Sequence, residues 1–94
     1  IQINNNNIAL AIDDANQALF YTDTALKQSS DAKVQAANKI AAAFQKIFLA
    51  YSAKQQGNEE LFLQLRDEAQ NLATEGKNID ISIAPLFEQI GKLF

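Results

Sequence analysis

Apolar positions recur along this chain at steps of three and four, and no long stretch alternates in the period-two manner of a strand. Ile8, Ile12, Ala15, Leu19, Thr22 and Leu26 form one stripe, with Asp13, Asn16, Gln17 and Asp23 on the solvated remainder. This spacing predicts a helix over about 8–27, capped by the side chain of Asn6 or Asn7 from the polar lead-in. The chain reverses at Gln28–Asp31, where Ser29, Ser30 or Asp31 can cap the next helix, and beyond it the apolar set widens. Val34, Ala37, Ile40, Ala41, Phe44, Ile47, Phe48 and Tyr51 predict a second helix over about 32–55. An apolar surface that broad needs neighbours on more than one side, which places this helix centrally. Gly57 breaks the pattern and Asn58 caps a third helix over about 58–75. Glu59 and Glu60 complement the positive end of its dipole. Phe62, Leu65, Ala69 and Leu72 are its stripe, and Gly76 is its stop. Ser82 and then Pro85 open a fourth helix over about 83–93, with Ile83, Leu86, Phe87, Ile90 and Leu93 on one face.

Two columns of alanine overlie this pattern. Ala11, Ala18 and Ala25 repeat every seven residues, as do Ala36, Ala43 and Ala50, and the columns mirror each other about Ser30–Asp31. Helix propensity explains why alanine is abundant, but not why it is spaced this way. A hairpin folded at that point sets Ala11 against Ala50, Ala18 against Ala43 and Ala25 against Ala36. Small residues there let backbones approach closely, and the heptad spacing favours a shallow crossing of about +20°. Ile12 and Leu19 then interdigitate with Ile40 and Ile47. The same register brings Lys46 near Asp14 and Lys39 near Asp23, exposed pairs worth at most ~1 kcal/mol each. The fold class is all-α: an antiparallel bundle of three to four helices, built on a long N-terminal hairpin, in one domain over 1–94.

Composition narrows the class. The 94 residues are 48% hydrophobic, enough to fold as one small domain. Net charge is −3 and the isoelectric point about 4.7. That balance disfavours nucleic acid and anionic lipid, both of which are bound through clustered Lys and Arg. No apolar run exceeds five residues, against the ~20 that a membrane span needs. The fourth helix offers a membrane surface only Lys92 as a cation, so contact with lipid is disfavoured too. The chain begins at Ile1 and contains no Met, so the expectation is a processed product or an excised piece of something longer. No signal peptide is visible; the compartment is left open by the sequence, with a soluble, cytoplasmic protein slightly favoured.

Chemistry is thinly supplied. There is no histidine and no cysteine, which removes the commonest general base, thiolate nucleophiles and the usual zinc ligands. The acid pairs Asp13–Asp14, Glu59–Glu60 and Asp67–Glu68 are adjacent in sequence, and neighbours on a helix point about 100° apart rather than converging. The three glycines are isolated, so no phosphate loop exists. These features point to a non-enzymatic protein with no cofactor and no metal site.

The residues that stand out are apolar. Phe20 falls opposite the first alanine column, with Leu10 and Tyr21 to either side of it. Cover by the third or fourth helix is the commoner fate of such residues; the alternative is an exposed patch for a protein partner or a second copy. Phe94, at the last position, poses the same choice. Leu10, Phe20, Tyr21 and Phe94 are therefore the candidate partner-binding residues. The stretch 58–94, with Leu61, Leu65, Leu72-Ala73, Leu86-Phe87 and Ile90, resembles the class II bacteriocin immunity proteins. That resemblance implies an antiparallel four-helix bundle that protects a producer cell from its own peptide. It covers about 37 residues. The first 56 residues and the acidic balance depart from the family, so it carries over no functional residue. The primary reading is a protein-interaction or structural module that binds through a helix face. The alternatives are an immunity-type or inhibitor protein acting on a toxin or its receptor, and a subunit or segment of a larger helical assembly such as a secretion or filament component.

Overall fold

A computed structural model describes residues 5–29, 31–83, 85 and 88. Among them the chain is all-helical: α1 spans Asn5–Gln28, α2 Ala32–Gln55 and α3 Glu59–Ile79, followed by a 3-10 turn at Ile81–Ile83. A 24-residue helix is ~36 Å long, and the molecule measures 40 × 22 × 21 Å. The helices therefore lie side by side rather than end to end. The expected helix over 83–93 and its face fall largely outside the described residues.

Local signals account for the boundaries. The Asp31 side chain accepts the Lys33 N–H at 2.7 Å and caps α2, and Asn58 accepts the Leu61 N–H at 3.1 Å and caps α3. Gly57 ends α2 with φ of 79°. The Asn58 N–H reaches the Ala53 carbonyl at 2.9 Å and the Gly57 N–H reaches that of Lys54 at 3.0 Å, which together make a Schellman closure. Two boundaries differ from the sequence reading. Asn6 and Asn7 lie inside α1, which starts at Asn5. Gly76 does not stop α3, which continues to Ile79 with Gly76 buried inside it.

That glycine belongs to the main seam of the fold. Ala69, Ala73 and Gly76, at steps of four and three, are all buried on α3. Across from them lies the α2 alanine column, in which Ala36, Ala43 and Ala50 expose no surface at all. Ile40, Ala43 and Ile47 cluster with Ala69 and Ala73, while Ala50 and Ala53 cluster with Leu65. The second alanine column thus packs against α3, not against Ala11, Ala18 and Ala25 as the mirror symmetry suggests. On α1, Ala18 is exposed and Ala11 and Ala25 are only half-buried. The physical reason is that α3 carries its own column of small residues, whereas the α2 flank toward α1 carries Phe44 and Phe48, whose bulk holds α1 off.

Polar side chains also bridge α1 and α2. Gln45 donates to Asn16 at 2.7 Å, and Asn38 donates to Asp23 at 2.6 Å and to Thr22 at 3.0 Å. These pairs run antiparallel, in the register mirrored about 30–31. The expected ion pairs with Asp14 and Asp23 are absent from it. Lys39 meets Glu75 at 3.0 Å and Lys46 meets Glu68 at 3.3 Å, both on α3. All four side chains are about a third or more exposed, so each pair contributes at most ~1 kcal/mol. At the other end of the seam, the Lys54 ammonium sits 5.2 Å from the centre of the Phe62 ring.

Two substitutions test this account. Ala43→Leu is expected to destabilise by ~1–3 kcal/mol through overpacking. The same change at Ala18 is expected to stay within ~0.5 kcal/mol. Urea unfolding measures both, and an equal cost at the two positions contradicts the seam. Gly57→Ala meets no atom within 4 Å but must hold a positive φ, so a loss of ~1 kcal/mol is expected from backbone strain alone.

Candidate interaction surface

The face of α1 that packs is narrow. Ile8 and Ala15 are buried, and Ile12, Leu19, Thr22 and Leu26 are half-buried on the same stripe. Each residue turns the helix by about 100°, so the positions just after Leu19 point away from α2. Phe20 is 67% exposed and Tyr21 68%, with Leu10 at 64% a few turns earlier. The rings of Phe20 and Tyr21 meet edge to face, with centroids 5.8 Å apart and planes at 68°. Cover by the third helix is thus overturned: α1 and α3 each pack on α2, and they do not form a packed pair with each other among the described residues. Phe94 lies outside the described residues. Leu63 and Ile81 are also exposed large apolar residues, which the sequence did not single out.

A second feature lies where α1 and α2 fail to close. A groove of about 270 Å³ is lined by Ala11, Asp14, Ala15 and Ala18 from α1 and by Ala41, Phe44 and Phe48 from α2. The Phe44 and Phe48 rings are near-parallel, with planes at 23° and centroids 6.1 Å apart. Large rings facing methyl groups leave space that alanine cannot fill. Asp14 at the rim is its one charged lining residue. No sequence signal marked this groove, because it depends on which flank of α2 receives which helix.

The perturbed titrating groups lie elsewhere. Burial raises the Tyr51 phenol, which packs against the α2–α3 core. Hydrogen bonds from Ser82, side chain first and then the backbone N–H at 2.9 Å, lower the Asp80 carboxyl, and the Lys33 charge adds to this. A lowered folded value means that the Asp80 contribution is complete above the ordinary carboxylate range and is lost as pH falls through the lowered value. The stability difference between wild type and Asp80→Ala is therefore expected to be constant at neutral pH and to shrink below about pH 4, as thermal melts across pH would measure. Among the described residues, no three His, Cys, Asp or Glu side chains converge on an ion position. Nor is any helix among them long and apolar enough to cross a membrane.

No protein-family model, curated protein or solved structure matches the chain.

Proposed function

We propose that this chain is a non-enzymatic helical module, for protein interaction or structure, that binds a protein partner through the outer face of α1. One observation carries the reading: Leu10, Phe20 and Tyr21 stand more than three-fifths exposed on a single helix, turned away from α2, the helix it packs on among the described residues. Aromatic side chains held on a helix give large contact area at low entropic cost, and they dominate the energetics of protein interfaces. The groove beside Phe44 and Phe48 offers the same helix a second apolar edge. In this reading α1 and α2 form the hairpin of a three- to four-helix bundle, and α3 supports it from behind.

Affinity capture from the source organism tests the proposal, comparing wild type with Phe20→Ala and Tyr21→Ala. Both residues are exposed, so each variant is expected to melt with stability within ~0.5 kcal/mol of wild type. Each is expected to lose its captured partner by about tenfold, the effect of removing one interface anchor. Full retention of every partner by both variants refutes the α1 face. A small secreted peptide, or its receptor, as the partner lost would specify the immunity-type form of the module.

A further inference from the structure

The exposed face of α1 carries a charge pattern. Asp13, Phe20 and Lys27 fall seven residues apart on one column of the helix, and all three are exposed. Asp14 and Tyr21 form the adjoining column. Among the described residues, no ion pair engages Asp13, Asp14 or Lys27. That column therefore carries an acid about 10 Å to one side of Phe20 and a base about 10 Å to the other, at 1.5 Å per residue, while Asp23, exposed one turn before Lys27, is bonded to Asn38 at 2.6 Å toward α2.

Such a face is complementary to itself when reversed. A two-fold axis beside Phe20, perpendicular to the helix, carries Phe20 onto Phe20 and exchanges Asp13 with Lys27. Each acid then meets the other copy's base, at both ends of the contact. A parallel pairing puts Asp13 against Asp13 and Lys27 against Lys27, and repulsion disfavours it. A two-fold contact uses one patch twice, and a column with an aromatic centre and opposite charges at equal spacing satisfies that requirement. We infer that the outer face of α1 pairs with the same face of a second copy of this chain, antiparallel and centred on Phe20. This inference rests on the proposal that α1 is the interaction face, and it specifies the partner.

Sedimentation equilibrium of the full chain, up to about 1 mM, tests it with four proteins. Wild type is expected to dimerise. Phe20→Ala is expected to weaken the dimer by about tenfold, and Lys27→Glu by a similar factor, because it sets acid against acid at two places. The double variant Asp13→Lys with Lys27→Glu restores both pairs with their signs exchanged, and is expected to return to within about threefold of wild type. Circular dichroism confirms that each variant remains helical. A wild type that stays monomeric throughout overturns the inference, as does a double variant no better than Lys27→Glu alone. The two levels fail differently. A monomer that still loses a captured protein on Phe20→Ala overturns only the second copy. A dimer indifferent to Phe20→Ala overturns the α1 face as well.

Discussion

Close approach of α2 to α3 sets the rest of the structure. Ala36, Ala43 and Ala50 on one helix, and Ala69, Ala73 and Gly76 on the other, are all buried. Small side chains let the backbones come near enough for Ile47 to be wholly enclosed. Once that flank of α2 is committed, the flank left for α1 holds Phe44, Phe48 and the polar Asn38 and Gln45. Rings cannot nest against alanines as closely as alanines nest against one another. The groove and the polar bonding between α1 and α2 both result from this. So does the exposure of Phe20 and Tyr21, since α3 is held against α2 and does not reach them.

Stability is consequently uneven along the chain. The α2–α3 seam is apolar, with ion pairs at its exposed edge. Among the described residues, the α1–α2 contact buries only Ile8 and Ala15 of α1 and adds hydrogen bonds between half-exposed or exposed side chains, each worth only ~0.5–1.5 kcal/mol net. Fewer buried apolar contacts mean a lower free energy for local opening. The helix proposed to carry the interaction face is thus the one of the three with the fewest buried residues among those described, and a partner that covers Phe20 and Tyr21 would add to α1 the burial that α2 does not provide.

Much of this is legible in the residues, within a definite limit. The bounds of α2, the cap at Asn58 and a cap among Ser29, Ser30 and Asp31 come from hydrophobic period and hydrogen-bonding side chains, both local properties; the structure selects Asp31. Periodicity says which face of a helix is apolar, not which neighbour receives it. The heptad spacing therefore marks Ala36, Ala43 and Ala50 as a seam, but the mirror symmetry gives that seam to α1. Lys39 and Lys46 go with it to the wrong acids. Gly76 misleads for a related reason: glycine both ends helices and permits close contact, and only the position of α2 selects the second role. The same period sets Phe20 opposite the first alanine column, but its exposure depends on where α3 packs.

Exposed aromatics carry a particular weight in a chain of this size. A 94-residue domain buries only a little more than ~60% of its unfolded surface, and each large apolar side chain kept in water forgoes ~1.5–3 kcal/mol of burial. Leu10, Phe20 and Tyr21 together forgo an amount comparable to the whole stability of a small domain. Solubility alone would be served by polar residues at those positions, which are also better helix formers than Phe or Tyr. Among the described residues the two rings meet each other edge to face and stay largely exposed, which is why α1 is the face proposed for a partner. The placement of Asp13 and Lys27 at equal spacing about Phe20 is what favours a second copy over a foreign surface in the pairing proposed above, since a two-fold contact uses one patch twice.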